Sequence, residues 1–378
     1  MAGEYTIDQH MTQPTNNGSN PERNNNQSPD LARYHRQIIF PGFGQEGQER
    51  LLAAKAVIVG CGATGTALSN LLVRAGVGHV RIIDRDYIEL NNLQRQILFD
   101  EEDIAANLPK AEAAARKLRR VNSGITIEGI VADVNPGNVL DLIGDADIVL
   151  DGTDNFTTRF LLNDACLSLG KPWIYTGVIA SYGMTATLIP DGAVAKLPGE
   201  RKATGCLRCF LPELPAPGTT PTCDTAGVIG PGVSLLTSIA AAEAMKLLSG
   251  RGELNPGIIH MDVWSHDYEK FTLARNPECP ACGAHDYEYL NAEVGTTSAA
   301  LCGRNAVQVV VTGGPRLDLA TIAQQLGPVA KQVARNEYLL RAQIDGYEFT
   351  VFPDSRAIIK GTEDEEVAKG LYARYLGG

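Results

Sequence analysis

The chain has 378 residues, 44% of them apolar, which is more than one average domain and enough for a large core with a smaller unit beside it. A formal net charge of -11 argues against a broad face for a nucleic-acid backbone, while leaving room for a local basic pocket that takes one triphosphate. The amino end carries Glu4 and Asp8 with no basic cluster before an apolar run, and the apolar stretch 234–248 contains Glu243 and Lys246. Neither a secretory signal nor a membrane span is therefore expected, and the cytoplasm is the expected compartment.

Residues 1–30 include the run NNGSNPERNNNQSPD and few large apolar side chains, so they read as a disordered arm. From Leu31 the pattern turns globular. A helix over 45–54 feeds the apolar strand KAVIVG, followed by a helix over 64–75 and the strand HVRIIDRD. A helix over 110–121, the strand ITIEGIVADV, a helix over 138–143 and the strand ADIVLDGTD come next. Strands alternating with helices imply a parallel sheet, because each right-handed crossover needs a covering helix. After Lys171 the rhythm changes, and WIYTGVIASYGMTATLIP reads as strands joined by a turn that add antiparallel members.

The stretch 201–230 is rich in Pro, Gly, Thr and Cys and longer than a plain connection needs, so it is expected to be mobile or functional. A helix over 234–248 ends at Gly250, and LNPGIIHMDVWSHDYEKFTLARNP supplies further strand. From 299 a separate small α+β unit is expected, with strands in AVQVVV, YLLRAQID, YEFTVFPD and RAIIKG, a helix over 320–326 and a last helix over 364–375. The fold class is thus α/β: a Rossmann-like nucleotide domain over 31–291 with a mixed, largely parallel sheet, followed by the small unit over 299–378.

The loop GCGATG, with Gly60, Gly62 and Gly65, lies between a buried strand and a helix, where backbone can approach phosphates at the helix's positive end. Asp84 lies 24 residues after Gly60 at the end of the next strand, where a carboxylate can accept from ribose hydroxyls. These features alone suit a nicotinamide oxidoreductase as well as an ATP enzyme. The string DYIELNNLQRQILF, with Asn92, Gln94, Arg95 and Gln96, favours ATP, since hydride transfer has no need of such a cluster. An adenylation does, because cations must surround the triphosphate as pyrophosphate leaves. Arg36, Arg95 and Lys110 are available cations, and Asp154 in DGTDN, at a strand's carboxyl end, could hold Mg2+.

Cys206-Leu-Arg-Cys209 and Cys279-Pro-Ala-Cys282 form two thiolate pairs 69 residues apart, the arrangement of a closed four-sulfur Zn2+ site of structural type. Of the other cysteines, Cys61 in the glycine loop, Cys166 on an apolar helix and Cys302 near the small unit read as packing.

The segments YHRQIIFPGFG, VIVGCGATG, IIDRDYIELNNLQRQILF, LPKAEAA, DIVLDGTDNFTTRFLLNDAC, GCLRCF, Cys223 to Gly232 and CPACG resemble the ThiF/MoeB/HesA adenylyltransferases, relatives of ubiquitin-activating enzymes. The resemblance spans about residues 31–290. It implies ATP-dependent adenylation of the C-terminus of a small β-grasp sulfur-carrier protein ending in Gly-Gly, of thiamine or molybdopterin type. It also implies that Asp84 holds the ribose, that Arg95 and Lys110 contact the triphosphate, and that Asp154 binds magnesium. Asn92 and Gln96 line the pocket, and Arg36 reaches the neighbouring site of a homodimer. In some similar proteins a cysteine at the place of Cys223 bonds covalently to the activated carrier. A tRNA-base-activating relative is an alternative that the acidic composition disfavours. The terminal Gly377-Gly378 reads as a helix end rather than a carrier tail.

Overall fold

A computed structural model describes residues 31–216, 219, 223–292, 297–301, 305–311 and 314–377. The expected arm over 1–30 and the final residue Gly378 lie outside the described residues.

The first sheet contains β1 (Lys55–Val59), β2 (His79–Asp84), β3 (Thr126–Val131), β4 (Ile148–Asp151), β5 (Trp173–Ile179), β6 (Tyr182–Leu188), β7 (Gly257–Asp262) and β8 (Asp267–Thr272). Their spatial order is β3-β2-β1-β4-β5-β6-β7-β8. The first five run parallel, and β6, β7 and β8 each lie antiparallel to the preceding strand. The direction changes at the turn after β5, as WIYTGVIASYGMTATLIP implies.

β1 alternates between two cores. Ala56 and Ile58 join one with Leu68, Leu72, Ala114, Leu118, Ala240 and Leu247, from the helices Ala63–Ala75, Lys110–Val121 and Gly230–Ser249. Val57 and Val59 join the other with Ile143 and Phe160, from Val139–Ile143 and Phe156–Leu169. A strand apolar on both faces needs this double cover.

Helix Gly230–Ser249 starts four residues before the expected 234, because Pro in a helix's first turn gives up no amide that needs a partner. It is long and apolar enough to cross a membrane, yet 61% of its apolar window is buried within the fold.

The second sheet contains β9 (Thr297–Leu301), β10 (Ala306–Val310), β11 (Gln332–Arg335), β12 (Leu340–Ile344), β13 (Tyr347–Val351) and β14 (Arg356–Lys360), in the order β11-β12-β13-β14-β10-β9. All its pairings are antiparallel. Helices Leu319–Leu326 and Glu365–Tyr375 close one core over Val307, Phe349 and Ile359. A smaller cluster of Ala306, Leu339, Phe352 and Ile358 packs against Tyr87 and Val131 of the first sheet's domain. β9 and β11 add two strands to the four expected.

Candidate functional site

Gly60 to Gly62 link β1 to helix Ala63–Ala75 at the point where β1 lies between β2 and β4. Chains leave this crevice in opposite directions, which makes it the ligand-binding place of an open α/β sheet. Gly60 has φ +91°, and a Cβ there would sit 2.5 Å from the Gly152 carbonyl. A Cβ on Gly65 would sit 1.9 Å from the Gly60 oxygen. Gly60 is therefore required by close approach of the β4 end, and Gly65 by the packing of its helix against the loop. Gly62 differs, because a Cβ there would meet nothing nearer than Gln96 Nε2 at 3.8 Å. Its side of the loop is the open one, at the amino end of a 13-residue helix that favours negative charge.

The Asp84 carboxylate ties this loop to the next turn, accepting from Cys61 N at 2.5 Å and Asp86 N at 2.6 Å. Each oxygen keeps a further lone pair of the kind a ribose diol would use. Burial pushes the Asp84 pKa up, and Lys110 partly offsets that. Lys110 is buried at the start of its helix, donates its backbone N–H to Asp86 O at 2.9 Å, and holds Nζ 3.4 Å from Asp86 Oδ2.

Within the polar string after β2 the side chains divide. Asn92 builds the turn: Oδ1 accepts from Glu89 N at 3.1 Å and Nδ2 donates to Asn91 Oδ1 at 2.9 Å. Arg95 donates to the Asn91 carbonyl at 2.9 Å. Gln96 is buried beside Gly62, and its Oε1 has no hydrogen-bond partner among the described residues. An orphaned buried amide oxygen costs free energy unless something donates to it. It is the member of the string that points at the glycine loop.

The DGTDN segment at the end of β4 divides in the same way. Asp151 is fully buried and accepts four bonds: from Thr153 N at 2.8 Å and Thr153 Oγ1 at 2.7 Å on one oxygen, and from Arg159 Nε at 2.8 Å and Thr176 N at 3.3 Å on the other. Gly152 packs on the glycine loop, and Asn155 caps helix Phe156–Leu169 through Thr158 N at 2.9 Å. Asp154 is the exposed member, set in the field of Arg85 and Arg159. Four residues of the motif hold the loop and one is presented to solvent. The Asp151–Arg159 pair is the element that sequence reasoning missed. Only the Asp151-x-x-x-x-x-x-x-Arg159 spacing across a strand end and a helix could have hinted at it.

Arg36 is exposed on helix His35–Ile38, and the neighbouring Gln37 donates to the Ala75 carbonyl at 3.0 Å. That carbonyl lies at the far end of helix Ala63–Ala75, about 18 Å from the glycine loop at 1.5 Å per residue. The fold therefore gathers Gly62, Asp84, Gln96 and Lys110 around one crevice, with Asp154 on the adjoining strand end, and leaves Arg36 remote within its own chain.

The four sulfurs of Cys206, Cys209, Cys279 and Cys282 lie within 4.8 Å of one another. Three of their edges measure 3.9, 3.6 and 3.5 Å, close to the roughly 3.8 Å edge of a tetrahedron with metal–sulfur bonds of about 2.3 Å. Hydrogen bonds from Cys206 and then Cys282 push the Cys209 pKa down, and the bond to Cys209 pushes that of Cys206 up. One cation in place of the shared protons would satisfy the whole set. Asn163 anchors this cluster to helix Phe156–Leu169 by accepting from Leu207 N at 2.9 Å.

Cys223 opens the short helix Cys223–Ala226, and its side chain lies outside the described atoms. The backbone that follows returns to the site: Ala180 N donates to Gly227 O at 2.8 Å, and Gln94 reaches Val228 O at 3.4 Å. Cys61 and Cys166 are buried thiols whose pKa values burial raises, as packing residues should be. Cys302 lies outside the described residues.

A glycine loop at the sheet's reversal point, a helix amino end, a carboxylate at the end of the next strand and a buried lysine define a nucleotide-binding α/β domain. More narrowly, the chain belongs to the ThiF family, whose model matches residues 34–281. It is 42% identical over 348 residues to the sulfur carrier protein ThiS adenylyltransferase of Bacillus subtilis (strain 168), covering 92% of this chain and 99% of that protein. The protein of the same name from Escherichia coli (strain K12) is 36% identical over 255 residues, 67% of this chain and 96% of its own length. The crystal structure of E. coli MccB with ATP superposes with a TM-score of 0.56 at 25% identity, covering 68% of this chain and 75% of that one.

Proposed function

We propose that this chain adenylates the C-terminal glycine carboxylate of a small β-grasp sulfur-carrier protein ending in Gly-Gly, using ATP and releasing pyrophosphate. The observation that carries the reading is the crevice itself, where Asp84, the buried Lys110, Gln96 and the open side of Gly62 converge in a ThiF-family chain. A carboxylate oxygen of the carrier bonds to the α-phosphorus, and the bond from that phosphorus to the bridging oxygen breaks, its electron pair leaving with pyrophosphate. The carrier carboxylate is already ionised at neutral pH, so no general base is required. Asp84 accepts from the ribose, the helix amino end and Gly62 N–H side receive phosphate, and Lys110 and Arg95 offset the charge growing on the leaving group. Asp154 would hold a magnesium ion, which when bound supplies further neutralisation there. Cys206, Cys209, Cys279 and Cys282 would hold zinc as a closed structural site.

The remoteness of Arg36 within its chain supports a homodimer in which it completes the partner's site. β8, one of the two edge strands of the first sheet, is exposed at all six positions, with Tyr268, Phe271 and the nearby Trp264 open to solvent, and offers the carrier an edge unpaired among the described residues. The thiamine-type carrier is the first candidate, because the match to the B. subtilis relative runs through most of the second domain as well. The cytoplasm is the proposed compartment. The membership in the ThiF family and the relatives' adenylyltransferase activity leave the oxidoreductase reading without support.

The test is exchange of labelled pyrophosphate into ATP, with thiamine-type and molybdopterin-type carriers compared in separate reactions. Exchange should require a carrier with its Gly-Gly end intact. Equal exchange with the two glycines removed would sink the reading. Mixing inactive Arg36→Ala and Asp154→Ala chains should restore exchange if Arg36 acts across a dimer, and no recovery would rule that role out.

A further inference from the structure

The second domain does not rest on the first at an arbitrary place. It touches the segment that runs from Asp84 to Lys110. Arg356, at the start of β14, is fully buried, and its Nη1 donates to the Arg85 carbonyl at 2.8 Å. Its guanidinium lies 3.7 Å from the Phe352 ring centroid, and Nε is 3.5 Å from Asp354. Nη2 has no hydrogen-bond partner among the described residues. Arg85 in turn donates to Asp133 at 3.0 Å, and the other oxygen of Asp133 accepts from Gln308 of β10 at 2.9 Å. Arg341 covers the Tyr87 ring at 4.1 Å, and Lys360 lies 3.5 Å from Glu89. Asn336 donates to the carbonyls of Ala106 at 3.3 Å and Asn107 at 2.8 Å.

Gln308 meets Asp133, and Arg116 meets Glu337 and Tyr338 beyond the segment; the other contacts land on the turn after Asp84 and on Ala106 and Asn107, shortly before Lys110. A buried arginine is costly to desolvate, and one held against a backbone carbonyl fixes that carbonyl's orientation. The Asp84–Asp86 turn has the Asp84 carboxylate bonded to its own backbone, so a shift of Arg85 moves the atoms assigned to the ribose. We propose that Arg356 is a positioning residue for the nucleotide: it holds the Arg85 carbonyl so that ATP affinity in this chain depends on how the second domain is seated. The inference rests on the reading that Asp84 binds the ribose. Two thirds of this chain already accounts for 96% of the E. coli relative, so the second domain is an addition to what that relative shares with this chain.

The experiment uses the full chain and measures pyrophosphate exchange against ATP concentration at saturating carrier. Arg356→Met should raise the KM for ATP about tenfold, the scale of losing one hydrogen bond from a charged donor, with kcat and the carrier KM unmoved. Arg356→Lys, which keeps charge and a donor, should recover part of it. A merely structural arginine would lower the melting temperature and leave that split absent. An unchanged ATP KM in folded Arg356→Met overturns the proposal. Should that variant fail to fold, unchanged ATP KM in both Arg356→Lys and Gln308→Ala overturns it instead. Asp84→Ala, run beside them, separates the two readings. If its ATP KM rises while the Arg356 variants match wild type, only the positioning role falls; if it does not rise, the ribose assignment falls.

Discussion

Replacing Arg159 by methionine should damage both stability and the nucleotide site. Arg159 is buried, and its Nε meets the fully buried Asp151 at 2.8 Å. Its Nη2 donates to the carbonyls of Thr153 at 2.8 Å and Thr176 at 3.2 Å, and its guanidinium lies 5.3 and 5.2 Å from the Phe156 and Tyr175 rings. Methionine fills much of the volume but leaves the Asp151 carboxylate buried with no cation and two carbonyls without donors. Breaking one partner of such a pair costs about 3–5 kcal/mol, a large share of the roughly 5–15 kcal/mol that holds a domain folded. The Thr153 carbonyl lies one residue before Asp154, so the loop presenting Asp154 loosens as well. Urea unfolding followed by fluorescence of Trp173, which lies in the same core, reads the stability, and pyrophosphate exchange reads the site. Asp151→Asn combined with Arg159→Met should cost less than the sum of the single changes, since the uncompensated charge is gone. A single Arg159→Met cost under about 1 kcal/mol with exchange intact would refute the reasoning.

Three further outcomes are expected. Gly65→Ala should lower the melting temperature markedly, because its Cβ would fall 1.9 Å from the Gly60 oxygen; Gly62→Ala, with open space there, should fold normally and weaken ATP binding. Metal analysis should find zinc in purified protein, and chelation or Cys209→Ser should lower the melting temperature by releasing the strap that joins Cys206 and Cys209 to Cys279 and Cys282. Slight burial opposes charge on Asp145, but bonds from Lys55 and Arg81 outweigh it and take its pKa from 3.8 to about 2. A depressed folded-state pKa means its stabilisation is present above 3.8 and is lost as pH falls toward 2. Asp145→Asn should therefore lower stability near neutrality, by under about 1 kcal/mol at this exposed pair, and make progressively less difference as pH falls through 2. An equal effect at both ends of that range would contradict the pairing.

The sheet of the first domain was legible because its central strands β1 and β4 are apolar on both faces and its glycine loop and Asp84 stand at fixed places relative to them. The helix Lys110–Val121 was readable to the residue, since Pro109 marks its start and its alanines are all buried. β9 and β11 were not. Thr297–Leu301 reads TSAAL with one large apolar residue, and Gln332–Arg335 is a largely exposed edge strand, so neither carries the apolar alternation that signals a strand. In the site, Asn92 and Gln96 look alike as letters, yet one closes a turn and the other points its amide at the glycine loop. Asp151 and Arg159 looked like ordinary charges because burial is a property of the fold. Arg356 was beyond reach for a plainer reason: its partner, Arg85, is 271 residues away in the chain.

The most direct test of the central claim is the intact mass of a Gly-Gly carrier after incubation with this chain and Mg-ATP, quenched before hydrolysis. The expected product is a carrier heavier by one adenylate on its terminal glycine, formed with pyrophosphate and absent with Asp154→Ala. An unmodified carrier, or one modified with release of ADP, would contradict it.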